Sequence, residues 1–165
     1  MKATPLYIFD LDGTLALIEH RKHIIEEPGR DDDKWRRFYA ACVDDQPNQP
    51  VIDTLKALRK GGAEIWIWSG RSDEVAAQTE EWLYKHDILQ TTMFLHWEPF
   101  APPEKLMMRK AGDFTPDHIL KYQWLAELEP PERDRLTAVF EDRDRVVKMW
   151  RDAGVQCFQV AAGDF

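Results

Sequence analysis

Leu6-Tyr7-Ile8-Phe9-Asp10-Leu11-Asp12-Gly13-Thr14 is the stretch that decides the fold. Its four consecutive apolar residues read as a strand covered on both faces, as in a parallel sheet flanked by helices. Alternate residues of an extended chain point the same way, so Asp10 and Asp12 project together from the carboxyl end of that strand while Leu11 turns to the core. Ligands of open α/β sheets bind at that edge. Two carboxylates crowded there repel each other, and a divalent cation with oxygen ligands relieves the repulsion. Gly13 permits the sharp turn, and Thr14 is placed to return a hydrogen bond to a carboxylate. The plain alternative is a polar turn after a buried strand.

Outward from this opening, short β-branched and aromatic runs alternate with helix-period segments, the order of βαβ units. Ala63 to Trp68 reads as the second strand, after an amphipathic helix through Val51, Leu55 and Leu58 that stops at Gly61-Gly62. A helix from about Ser72 to His86 follows it, and a weaker strand or two lies between Thr92 and Met108. Thr137 to Phe140 is another strand; its helix carries Val146, Val147 and Trp150, and Val155 to Val160 closes the sheet. The fold class is α/β, a Rossmann-like three-layer sandwich around a central parallel sheet, as one domain over 1–165. The charged segment between Asp12 and Val51 is too long for an ordinary βα loop. It reads as a small helical cap insertion at about 17–48, lying over the strand ends. Gln46 to Pro50 and Glu129 to Pro131 read as turns.

The 165 residues suit a single domain, and 44% hydrophobic with 32% charged residues excludes a disordered or fibrous chain. A net charge of −8 argues against a protein that coats duplex DNA, unless positive charge is gathered locally. Apolar runs such as Ile65-Trp66-Ile67-Trp68 are far shorter than the ~20 residues of a membrane span, and Asp10 and Asp12 interrupt any leader-like segment. A soluble protein with no membrane partner is expected. Cys42 and Cys157 fit neither a metal knuckle nor a disulfide framework, so a reducing cytoplasm is the expected compartment.

Three further constellations carry chemistry. Ser69-Gly70-Arg71-Ser72-Asp73 follows a strand and precedes a helix, where a hydroxyl, a glycine and free amides make a seat for an oxyanion. Plain helix capping accounts for Ser72 but not for Ser69 or Arg71. Lys121 follows Thr115-Pro116-Asp117, a cap with proline at the first helical position, and shares an apolar stripe with Trp124, Leu125 and Leu128. Such a lysine is either paired in the interior or a stem whose ammonium reaches water. Glu141-Asp142 ends a strand as a pair suited to a hard cation, Asp142 the better placed, while Asp144 and Arg145 read as a solvated helix start.

Acid pair, hydroxyl, lysine and acid occur in the order of the four motifs of the haloacid dehalogenase superfamily, which this sequence resembles. More narrowly it resembles the phosphatase domain of phage polynucleotide kinases and the stand-alone phosphatases related to it. That likeness rests on Ile8 to Ala16, Trp68-Ser69-Gly70-Arg71, Met108-Arg109 with Asp117 and Lys121 downstream, and the tail from Val139 to Phe165. The resemblance implies an enzyme in which Asp10 attacks phosphorus and forms an aspartyl-phosphate. Asp12 would protonate the leaving oxygen and then activate water. Mg²⁺ would sit between Asp10, the backbone carbonyl of Asp12 and Asp142, with Glu141 beside it. Ser69 and Lys121 would hold the transferring oxygens, and Arg71 and Arg109 would belong to substrate binding. Dehalogenases of the superfamily lack the acid at the Asp12 position, which disfavours carbon–halogen cleavage.

The implied substrate is a phosphorylated nucleic-acid end, a 3′-phosphate, with a free nucleotide or another small phosphomonoester as the alternative. In the insertion, Lys34, Arg36 and Arg37 alternate with Trp35, Phe38 and Tyr39, a pattern for backbone contacts and base stacking. Phe38 fits simple packing; Trp35 and Tyr39, four apart, are the stacking candidates. No Gly-x-x-x-x-Gly-Lys-Ser/Thr occurs in the sequence, so no ATP-binding kinase site is expected. A different class, a receiver-like signalling domain or a binding module, shares acids, a hydroxyl and a lysine, but receivers lack the Asp-x-Asp-Gly-Thr opening.

Overall fold

The computed structural model describes residues 3–28, 32–90 and 105–163. Leu6–Phe9 (β1) forms the centre of a five-stranded sheet. Its neighbours are Glu64–Ser72 (β4) on one side and Leu136–Glu141 (β6) on the other. Leu106–Arg109 (β5) pairs with β4, and Cys157–Gln159 (β7) with β6, all four pairings being parallel. The order β5-β4-β1-β6-β7 reverses direction at β1, so the chain leaves the sheet to opposite sides there and a crevice opens at its carboxyl end. β1 is therefore the central strand, and its carboxyl end points at the crevice.

Gln49–Lys60 (α3) and Ala76–Lys85 (α4) cover one face. Their core comprises Phe9, Leu11, Ile52, Leu55, Ile65, Ile67, Trp82 and Leu83. Asp117–Ala126 (α5) and Asp144–Asp152 (α7) cover the other, over Ile8, Trp66, Trp68, Val146, Val147 and Trp150. Alternate β1 residues thus enter different cores, which is why the strand reads as an unbroken apolar run. A fully buried tryptophan or phenylalanine side chain contributes roughly 1.5–3 kcal/mol or more of transfer free energy, and Trp66, Trp68 and Trp150 are all at most 1% exposed.

The segment after β1 departs from a simple crossover. Ala16–Leu17 (β2) and Gln46–Pro47 (β3) pair antiparallel and form a small ribbon. Between them lie Glu19–Glu26 (α1), Asp32–Ala40 (α2) and a 3₁₀ turn at Ala41–Asp44. Gln46–Pro50 is thus not a plain turn: Gln46 and Pro47 pair with β2, and α3 begins at Gln49.

Three other expectations need correction. Glu129–Pro131 opens a short helix, Pro130–Arg135 (α6), because prolines at its first two positions forgo amides that have no helical partner. The helix from Ser72 is shorter than its sequence suggests. β4 stays extended through Ser72, which pairs with Arg109; a 3₁₀ turn then covers Asp73–Val75, and α4 begins at Ala76. Thr115 does not cap α5: Pro116 is the residue before the first helical position, and no side chain caps the helix. Of the strands expected between Thr92 and Met108, β5 contains Leu106 to Met108; residues 91–104 lie outside the described residues.

Candidate active site

Asp10 and Asp12 leave β1 at its carboxyl end, and Asp142 follows directly on β6. Register places β1 and β6 side by side with Phe9 opposite Phe140, so the acids of the two strand ends meet. One carboxylate oxygen from each of Asp10, Glu141 and Asp142 lies within 4.8 Å of the others, and all three residues are buried. Gly13, at φ +89°, sits so close that a Cβ there would run into the Asp142 carboxylate. The glycine thus serves both the turn and the approach of the third acid.

Lys121 is the counter-charge. Only 2% exposed, it sends Nζ to Asp10 Oδ1 at 2.5 Å and to Glu141 Oε2 at 2.7 Å. It is paired in the interior, not a stem reaching water. Burial alone would lower its pKa, but the charges of Asp10 and Glu141 outweigh that and hold the ammonium above its ordinary value. One ammonium facing three carboxylates leaves negative charge in excess. Burial first, then Glu141, pushes Asp10 up to about 7; burial pushes Glu141 to about 7; and burial with the charge of Asp10 does the same to Asp142.

Asp10 Oδ2 and Asp142 Oδ1 are buried with no hydrogen-bond partner among the described residues. Glu141 is differently placed: Oε2 is held by Lys121, and Oε1 accepts from the amides of Asp142 and Arg143 at 3.2 and 3.4 Å. Two orphaned carboxylate oxygens within a cluster of excess negative charge fit a hard divalent cation. Asp10 and Asp142 supply the open oxygens, with Glu141 bracing the lysine.

Asp12 lies in a different environment. Its carboxylate is not in the three-acid group; it accepts from Arg21 Nη2 at 2.7 Å and from Arg71. Burial would raise its pKa, but Arg71 and then Arg21 reverse the effect and hold the carboxyl well below its usual range. Asp45 fixes both arginines: Arg21 donates to it through Nε and Nη2 at 2.7 and 2.6 Å, and Arg71 through Nη2 at 3.0 Å. Sequence reasoning missed Arg21 and Asp45. They stand 24 residues apart, at opposite ends of the helical segment, and no local spacing marks them as partners.

The other sequence-derived residues divide between interior and cleft. Ser69 is fully buried, and its Oγ accepts from the Arg71 amide at 3.2 Å. Arg71, 1% exposed, is spent on Asp12, Asp45 and Thr79. Of the amides expected to be free after Ser69, that of Arg71 goes to Ser69 Oγ and that of Glu74 to Ser72 Oγ, while the chain stays in β4 through Ser72. Gly70 is required by proximity, since a Cβ would strike the Asp117 carboxylate. Thr14 makes no hydrogen bond to a carboxylate: its hydroxyl is buried without a partner among the described residues, while its carbonyl accepts from Asn48 Nδ2 at 2.9 Å.

Over the acids lies a cleft of about 610 Å³. Asp10 and Asp12 line it from the sheet, Trp35, Arg36 and Tyr39 from α2, and Arg109 and Phe114 from the β5–α5 side. The Trp35 and Tyr39 rings are 5.9 Å apart, and the Tyr39 hydroxyl donates to the Gly70 carbonyl at 3.3 Å, which joins α2 to β4. Phe38 is packing, 3% exposed with the Arg21 guanidinium 4.2 Å from its ring centroid. Arg109 braces the loop before α5, donating to the carbonyls of Gly70, Asp113 and Thr115 and to Asp117. Asp117 also takes Arg143 at 2.5 Å.

Sheet order, crevice and acid cluster are those of a haloacid dehalogenase-type fold. The class C acid phosphatase of Bacillus anthracis, 14% identical, superposes with a TM-score of 0.64 over 100% of this chain and 69% of its own. Residues 4–165 match the family model of the polynucleotide kinase PNKP phosphatase domain, and the chain belongs to that family. It is a phosphatase. A chain in the solved Pnkp1/Rnl/Hen1 RNA repair complex is 30% identical, with a TM-score of 0.73 over 98% of this chain and 44% of that one. A polynucleotide kinase homologue of Autographa californica nuclear polyhedrosis virus is 29% identical over 144 residues, 87% of this chain and 17% of the viral protein. This chain therefore spans less than half the length of those relatives. Among the described residues, no helix is long and apolar enough to cross a membrane.

Proposed function

We propose that the chain is a Mg²⁺-dependent phosphomonoester hydrolase that removes a 3′-phosphate from polynucleotide ends through an aspartyl-phosphate on Asp10. The observation that carries this reading is the contrast between the two acids of β1, since nucleophile and proton carrier need different environments. Lys121 holds Asp10 Oδ1 and so fixes the orientation of the nucleophilic carboxylate. A cation held by Asp10 and Asp142 would supply charge neutralisation for an incoming phosphate dianion. Lys121 then serves twice, orienting the nucleophile and offsetting charge on the transferring oxygens.

Asp12 takes the proton of the water that hydrolyses the aspartyl-phosphate, and its carboxylate form at rest suits that step. To protonate the leaving oxygen in the first step it must carry a proton, and with Arg21 and Arg71 in place that form is costly. Arg71 and Ser69 reach the transferring oxygens only if they shift from the partners they hold here. The cap helix α2 brings Trp35 and Tyr39 to the cleft, aromatic surface suited to a nucleobase beside the phosphate. The membership of the family supports a polynucleotide over a free nucleotide.

The test compares phosphate release, with Mg²⁺ or with EDTA, from 3′- and 5′-phosphorylated oligonucleotides, mononucleotides and an aryl phosphate. Metal-dependent release favouring the 3′-phosphorylated oligonucleotide is expected. Preference for mononucleotides would replace this reading with that of a nucleotide phosphatase.

A further inference from the structure

A second groove, of about 830 Å³, lies between α5 and α7 and shares two lining residues, His118 and Arg145, with the cleft over Asp10. The two depressions therefore adjoin. His118, Tyr122 and Leu125 follow one face of α5, and Arg145, Lys148, Met149 and Asp152 one face of α7, by their three- and four-residue spacing. Tyr122 is 54% exposed, and Phe114, on the cleft side of the junction, is 71% exposed. Two open rings flanking one junction offer faces on which bases can stack.

The groove is also locally positive. Arg133, Arg145 and Lys148 line the groove against Asp152 alone, in a chain of net charge −8. Lys148 pairs with Asp152 at 2.6 Å and Arg133 donates to the Ala153 carbonyl at 3.3 Å, while Arg145 has no ion-pair partner among the described residues. Leu125, Leu128 and Met149 on the floor would suit a peptide equally well. Positive charge, open aromatic rings and continuity with a phosphate-processing cleft together select a polyanion that carries bases.

We propose that the α5–α7 groove is the track for the single strand upstream of the terminal phosphate. The phosphate enters the cleft, the chain passes Phe114, His118 and Arg145, and a base one or more nucleotides upstream stacks on Tyr122 while Arg145 and Lys148 face backbone phosphates. This rests on the polynucleotide reading above. It gives an acidic protein a place to bind a polyanion, a strip where positive side chains outnumber negative ones.

The experiment measures kcat/KM for 3′-phosphorylated oligonucleotides of two and ten nucleotides, with an aryl phosphate as reference. The ten-mer is expected to be favoured about tenfold, the size of one good base stack. Tyr122→Ala should bring the ratio close to one without changing aryl phosphate turnover, and Tyr122→Phe, which keeps the ring, should retain it. Lys148→Ala should reduce the salt slope for the ten-mer by about 0.7, the loss of one phosphate contact to a single strand. Fluorescence anisotropy of a 3′-hydroxyl ten-mer in EDTA should show the same Tyr122→Ala weakening without turnover. Oligonucleotides hydrolysed with no length preference, or a preference that survives Tyr122→Ala, would overturn the track and leave the groove to a protein segment. Hydrolysis of mononucleotides but of neither oligonucleotide is a different result, which removes the polynucleotide reading itself.

Discussion

Asp10 and Asp12 are two residues apart on one strand end, yet their surroundings push them in opposite directions. Asp10 faces acids delivered by β6 and one lysine from α5, and is pushed up to about 7. Asp12 faces guanidinium groups from α1 and β4, clamped by Asp45, and is held well below its usual range. Strand alternation brought both acids to the crevice, but what each meets depends on which crossover ends nearby. The sheet side gathers an acid cluster that fits a cation, the helical-segment side a fixed carboxylate.

Breaking either side tests the division. Asp10→Asn should reduce phosphate release by at least about a thousandfold, as loss of a nucleophile does, while thermal unfolding shows an intact fold. Asp12→Asn should cost roughly 10²–10⁴-fold, the range of one general acid–base group, and leave Mg²⁺-induced stabilisation in place. If both variants lose the Mg²⁺ response equally, the two acids share one site and the contrast is lost.

Asp45→Ala strikes the Asp12 side indirectly. It leaves the buried Arg21 and Arg71 with one acid between them and should lower stability by about 3 kcal/mol in denaturant unfolding. The misplaced Asp12 should also reduce kcat by roughly 10- to 100-fold. Trp35→Ala is expected to act on substrate binding alone. KM for an oligonucleotide should rise about fivefold, at the low end of a lost stack, with little change for an aryl phosphate.

The smallest effect sharpens the Asp10 side through pH. Asp10, Glu141 and Asp142 sit at about 7 when folded against 3.8 to 4.5 ordinarily, so the folded state binds more protons across that interval. The metal-free protein therefore loses stability as pH rises from about 4 to about 7. A cation that neutralises the cluster restores it. Saturating Mg²⁺ should raise Tm more at about pH 8 than at about pH 5.5, and the difference should vanish in Asp142→Asn.

Much of this molecule is written locally. Strand and helix periods depend on residues two to four apart, so β1, β4, β6 and the helices over Val51, Lys121 and Val146 can be read along the chain. The acids at strand ends are legible for the same reason. Another feature depended on a contact distant in sequence: β4 stays extended to Ser72, where it pairs with Arg109.

Sequence by itself determined which residues reach the carboxyl edge of the sheet, because alternation along an extended strand follows from backbone geometry alone. Tertiary structure decided their state. Burial turned Lys121 from a surface stem into the partner of Asp10 111 residues away, and Arg21 from α1 and Arg71 from β4 converged on Asp12, both held by Asp45. Charge in a low-dielectric interior is governed by neighbours within a few ångströms, and the fold alone chooses those neighbours.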